Sequence, residues 1–247
     1  MDVSLGDRVF PDSDSLCECC GYPIKGLAIH AQCPECGQAV AESSPDKRHW
    51  PVPRGFMLLT GYLSIARAVL LSPSRHFRQM RVHGHKDDAI YFMLTSAALA
   101  AGLSFFALNF SWLFVDPGMI VDINFGSAFL FCLFVFLTTL LLTYIEVLGV
   151  VTFSRRRGWR VPFASAERVC CYASVGWLPG VIVAGVGVSL VDMHGLGRPW
   201  FEHLLGLVRV GWLLYGVLFI VAMLWFETLV WIGVRRVRYA NAWGDAG

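Results

Sequence analysis

The chain is 247 residues long, with 56% hydrophobic and 15% charged residues and a mean hydropathy of +0.57. Those values disfavour a water-soluble globule and fit a polytopic membrane protein. The net charge of +2 hides a division: residues 1–46 hold eight acids and two bases, which leaves 18 bases and 10 acids in the remainder. So acidic a head argues against nucleic-acid binding, which needs a basic face to meet phosphate.

Residues 1–16 are polar and acidic, without the apolar segment of a cleavable signal peptide. They read as a flexible N-terminus. Residues 17–37, CECCGYPIKGLAIHAQCPECG, contain five of the eight cysteines. Cys17 and Cys20 form one C-x2-C pair and Cys33 and Cys36 another, with twelve residues between, and Gly21 and Gly37 follow the pairs. On the cytosolic side, where the loop charges place this head, thiols stay reduced, and such a cluster reads as a metal site. Four thiolates about 2.3 Å from one Zn2+ close a tetrahedral shell, which makes the ion structural and leaves no position for a catalytic water. The glycines permit the left-handed turn that brings backbone N–H groups to the thiolates. Cys19 lacks that turn and stays outside the shell, and His30 reads as a loop residue. Iron in the same cage or a redox-active dithiol are the alternatives. The ribbon is expected over residues 17–40, followed by a linker at 41–54.

Residues 55–72 are apolar but contain Arg67, and an unpaired arginine near the centre of a span is costly. An amphipathic helix at the membrane interface is favoured there, with a buried span as the alternative. The basic run after Pro73, with His76, His83 and His85 among arginines, reads as a solvated collar touching anionic headgroups. Four stretches have the roughly 20 apolar residues that a crossing needs: 89–115, 126–153, 169–191 and 206–234. Pro179 is expected to kink the third. Basic residues are abundant before the first span, absent from the next loop, abundant at Arg155–Arg160 and Arg168, reduced to Arg198, then abundant again at Arg235–Arg238. That alternation places both termini in the cytoplasm. The membrane region is expected over 55–238 and a tail over 239–247. The glycines Gly176 and Gly180 form a small-xxx-small pair that leaves a homo-oligomer open.

Two resemblances attach to these residues. CECCGYPIKGLAIHAQCPECGQ (17–38) resembles the short zinc ribbons at the start of many bacterial membrane proteins. LLSPSRHFRQM (70–80) and GWRVPFASAERVCCYASVGWLPGVI (158–182) make the rest similar to the Yip1-type membrane domain. That resemblance implies a helical membrane domain, of usually five spans, whose eukaryotic relatives act with small GTPases in trafficking and membrane shaping.

Glu146 and Glu227 are the acids that fall clearly within spans, and intramembrane carboxylates are candidates for function. Glu146 lies nine residues before Arg155 and Glu227 eight before Arg235, so both sit at one depth. They could share a proton or a cation, or simply join helices. Cys132, Cys170 and Cys171 read as buried, inert thiols. Motifs of hydrolases, zinc proteases and P-loop enzymes are absent, which argues against an enzyme. The sequence therefore predicts an all-α polytopic membrane protein, with four transmembrane helices plus an interfacial amphipathic helix and a small N-terminal zinc ribbon. Cys17, Cys20, Cys33 and Cys36 hold the Zn2+. The expected role is non-enzymatic: the ribbon docks a cytosolic protein at the bilayer. The alternative is a small transporter or channel using Glu146 and Glu227.

Overall fold

The computed structural model describes residues 15–44, 59–80, 87–115, 125–183 and 210–240. His83, His85, the loop holding Asp116 and Asp122, residues 184–191 of the third expected span and both termini lie outside the described residues. Among the described residues, six helices follow the ribbon: α1 (Leu59–Leu71), α2 (Pro73–Gln79), α3 (Asp87–Val115), α4 (Phe125–Arg156), α5 (Phe163–Ala173) and α6 (Val210–Val237). After α5 a 3-10 turn (Ser174–Gly176) leads into a further helical stretch over 177–183.

Two of these helices are long and apolar enough to cross a membrane, through Asp87–Phe106 of α3 and Phe129–Arg156 of α4. The 29 residues of α3 and 32 of α4 give lengths of about 43 and 48 Å, against a hydrocarbon core of about 30 Å. The outer faces are apolar too. Phe134, Leu137, Leu141, Ile145 and Leu148 are exposed along α4, and Val217, Ile220 and Leu224 along α6, a surface that water solvates poorly. Hydroxyls on these helices turn inward on their own backbone. Thr95, Ser96, Ser104, Thr139, Thr143, Thr152 and Thr228 each donate to the carbonyl four residues earlier, which satisfies them without water.

Charge marks the helix ends. Asp87 and Asp88 begin α3, and Arg155–Arg156 and Arg235–Arg236 end α4 and α6, each sign opposing the helix dipole. Gly158 stops α4 with φ +67, and the Trp159 N–H donates back to the Ser154 carbonyl at 2.9 Å. The next amide, Arg160 N–H, donates to the Arg238 carbonyl at 2.9 Å. The arginine-rich ends of α4 and α6 therefore meet at one end of the bundle. Phe153, Trp159 and Trp231 cluster there, with ring centroids 5.7 to 6.0 Å apart.

The 13 described residues of α1 are about 20 Å long, less than the hydrocarbon core of about 30 Å. Tyr62, Ile65, Ala66 and Val69 are buried while Arg67 stays exposed, so the arginine never enters the packed face. Tyr62 stacks on Phe92 of α3 at 4.8 Å and its hydroxyl meets Ser96 Oγ at 3.0 Å. In α2 Arg75 and Arg78 are exposed, as a solvated collar requires, but His76 needs correcting. His76 is 1% exposed and packs edge-on against Phe77 and Tyr172, at 5.3 and 5.2 Å. Helical spacing puts His76, Phe77 and Met80 on one buried face, which the run of arginines around them obscures.

Helix α5 is buried from Arg168 to Ala173. Its departure from α-helix falls at Ser174–Gly176, just ahead of Pro179. Pro179 cannot donate to the Val175 carbonyl four residues back, and its ring crowds that carbonyl. Gly176 and Gly180 pack against α6 within the chain. A Cβ on Gly176 would lie 3.1 Å from Phe226 Cα, and one on Gly180 would lie 2.7 Å from Ala222 Cα and collide with its Cβ. Gly233 of α6 does the same for α2 and α5, because a Cβ there would meet Val169 at 2.5 Å and Phe77 at 3.2 Å. The glycine pair read as open to a second copy is spent on this internal contact.

Candidate metal centre

The ribbon is two copies of one turn, the first led by Cys17 and the second by Cys33. Cys17 N–H donates to the Tyr22 carbonyl and Gly21 N–H to the Cys17 carbonyl, both at 2.8 Å. Cys33 and Gln38, then Gly37 and Cys33, repeat the pattern at 2.8 and 2.9 Å. The bridges Leu16–Pro23 and Gln32–Ala39 repeat in the same register. Gly21 and Gly37 have φ of 81 and 72, in the left-handed region that a side chain resists. Ile24 and Val40 occupy equivalent places and, with Cys17 and Cys33, form the ribbon's small core. The hydrogen-bonded unit extends from Ser15, whose carbonyl accepts from Ile24, to Ser43, whose hydroxyl accepts from the Glu18 amide at 3.1 Å.

This doubled turn aims four sulfurs at one point. The Sγ atoms of Cys17, Cys20, Cys33 and Cys36 all lie within 4.8 Å of one another. Cys17 and Cys36 are 3.6 Å apart and Cys20 and Cys33 3.7 Å. A tetrahedron with arms of about 2.3 Å has edges of about 3.8 Å, so the cage fits a tetrahedral metal ion. The same distances are far beyond the roughly 2.05 Å of a disulfide, and all eight cysteines are free. Backbone N–H groups converge on the sulfurs as the glycine turns require: Cys19 and Cys20 on Cys17, Glu35 and Cys36 on Cys33, Tyr22 on Cys20. Burial, reinforced by the neighbouring sulfurs, pushes the Cys20 thiol up to about 12. At Cys33 burial also acts upward, but the two N–H groups and the other sulfurs outweigh it and bring the thiol down to about 7. The ion that neutralises the cage would be held by these four residues, with no ligand position left for a substrate. It would supply the cross-link that a unit with so small a core lacks.

Cys19 is exposed and outside the cage, yet its backbone has a use that the sequence did not signal. Its carbonyl accepts a 2.8 Å hydrogen bond from Arg238 Nη2, just past the end of α6. Arg238 lies over the rings of Trp159 and Tyr239, at 5.8 and 5.0 Å. Gly21 sits directly against the Tyr239 ring, where a Cβ would be 2.9 Å from Cζ. The first knuckle is thus seated on the arginine-rich end of the bundle. Lys25, His30, Pro34 and Glu35 are exposed.

The intramembrane candidates also meet. Glu146 of α4 and Glu227 of α6 are half-buried, with their carboxyl groups within hydrogen-bonding reach. Cys170 of α5, fully buried, lies beside both. No family model, curated protein or solved structure matches the chain, so the Yip1-type and ribbon resemblances rest on their motifs alone.

Proposed function

We propose that the chain is a non-enzymatic, multi-pass membrane protein whose zinc ribbon is a docking platform for a cytosolic protein. The observation that carries this reading is the seating of the ribbon. Arg238 and Tyr239 grip the first knuckle, while Lys25, His30, Pro34 and Glu35 are left to solvent. A small unit built around a closed four-thiolate ion has no catalytic vacancy. Held at a fixed place on the bundle, it offers a partner a surface whose ordering cost is already met. Arginines of α4 and α6 gathered at the ribbon's end of the bundle support a cytoplasmic placement of that end. The test is cross-linked affinity purification from membranes, comparing the intact chain with Cys17→Ser/Cys20→Ser inserted to the same level. The reading expects a cytosolic protein captured by the first and lost with the second. Identical captures would refute it.

A second reading, transport, is favoured by the approach of Glu146 and Glu227, two carboxyl groups brought together between α4 and α6. Glu146→Gln or Glu227→Gln would then abolish an ion flux in proteoliposomes while leaving the fold intact. The docking reading expects both variants to keep the metal-dependent capture.

A further inference from the structure

Between the ribbon and the bundle lies a cleft of about 960 Å³, within the range of small-molecule sites. One wall is the ribbon, from Glu18 and Cys19 to Gln38 and Glu42. The other carries Ser74, Arg78 and Gln79 of α2 and then Arg235, Arg236 and Arg238. Four guanidinium groups face two carboxylates, a formal excess of two positive charges. Guanidinium groups bind phosphate oxygens through paired N–H donors, and Ser74 and Gln79 add uncharged donors. We propose that this cleft binds a phosphate ester, and that its position favours the headgroup of an anionic phospholipid as the source.

The surroundings argue for the lipid. Trp231 and Ile232 form the apolar edge of the cleft, and Trp231 belongs to the aromatic cluster with Phe153 and Trp159, residue types that collect at headgroup depth. From Trp231, past Thr228 and the half-buried Glu227, exposed apolar side chains follow α6 at Leu224, Ile220 and Val217. These positions share one helical face, so a headgroup in the cleft has a path for its acyl chains. The ribbon closes the site only while its first knuckle is folded, because Cys19 and Gly21 make the contacts to Arg238 and Tyr239. Lipid binding is therefore coupled to metal loading, independently of any protein partner.

The experiment is native mass spectrometry of the full-length, zinc-loaded protein in detergent, titrated with dioleoyl phosphatidylglycerol or dioleoyl phosphatidylcholine. Phosphatidylglycerol is expected to bind at least about tenfold more tightly. Arg78→Gln/Arg235→Gln, which changes two exposed side chains, should remove that preference without changing zinc content or thermal midpoint. Arg155→Gln/Arg156→Gln, at the end of α4, should keep it. Chelation of the metal should reduce it at least about fivefold. Glycerol 1-phosphate distinguishes the sources: failure to displace phosphatidylglycerol supports the lipid, whereas full displacement supports a soluble phosphate ester in the same cleft. Equal binding of the two lipids, a preference that survives Arg78→Gln/Arg235→Gln, or one indifferent to chelation would each overturn the proposal.

Discussion

Gly21 and Gly37 offer a matched pair of perturbations. They hold the same place in the two knuckles, with φ of 81 and 72. Alanine at either position incurs the left-handed penalty of about 1–2 kcal/mol. Because such a ribbon folds around its ion, that strain appears as weaker metal binding, by about 5- to 30-fold. The surroundings differ. A Cβ on Gly37 meets nothing within 4 Å, whereas one on Gly21 lies 2.9, 3.0 and 3.2 Å from three atoms of the Tyr239 ring. The ring must move, which disturbs both the Arg238 stack upon it and the Arg238 bond to Cys19. Those contacts together contribute about 1–2 kcal/mol, so Gly21→Ala should weaken metal binding by a further factor of about 5 to 30 relative to Gly37→Ala. Competition with a chromophoric chelator, on the full-length protein, reads both values. In a Tyr239→Ala background the collision is gone and the two variants should converge. Equal losses with Tyr239 present, or a gap that persists without it, would refute the seating of the ribbon on α6.

Gly180→Ala should destabilise the helix bundle by about 1–3 kcal/mol, since its Cβ collides with Ala222. Gly102→Ala, with nothing within 4 Å, should be neutral or slightly stabilising in helix α3. Thermal unfolding in detergent separates them. Burial among aromatic rings brings the His76 imidazole down to about 4. The unfolded chain takes up its proton below about pH 6.5 and the folded chain only near 4, so stability falls as pH drops through this window. The loss should reach about 2 kcal/mol at pH 5, seen as a lower thermal midpoint, and His76→Phe should flatten that dependence. Elemental analysis should find one metal per chain, zinc in place of iron. Cys20→Ser should abolish the four-thiolate spectrum of the cobalt-substituted protein and Cys19→Ser should leave it unchanged.

The metal cage was legible because its chemistry fixes spacing: a C-x2-C-G turn is the short local device that points two sulfurs at one ion, and it occurs twice. The repeat that pairs Ile24 with Val40 could also have been found in the sequence, as an aliphatic residue seven places after Cys17 and again after Cys33. Hydropathy and length located α3 and α4, the two helices long and apolar enough to cross a membrane, because a crossing needs a helix that is apolar on nearly every face. What local patterns could not supply was partnership. Nothing near Gly21 announces Tyr239, close to the opposite end of the chain, and nothing in Gly176-x3-Gly180 says that its neighbour is α6 of the same chain. His76 was hidden differently, since three nearby arginines drew attention from the Phe77–Met80 stripe that buries it. The Glu146–Glu227 contact lies between these cases: matching distances to the arginine clusters were readable, but the packing of α4 beside α6 was not.

Docking of a cytosolic protein on the metal-built ribbon can be read at Glu35. This exposed side chain belongs to the second knuckle, away from the contact with Tyr239. A photo-crosslinking amino acid placed there in the full-length chain, irradiated in native membranes, should give one discrete protein adduct that disappears when the metal is chelated. No adduct, or the same adduct with and without the metal, would rule out metal-dependent docking on the ribbon.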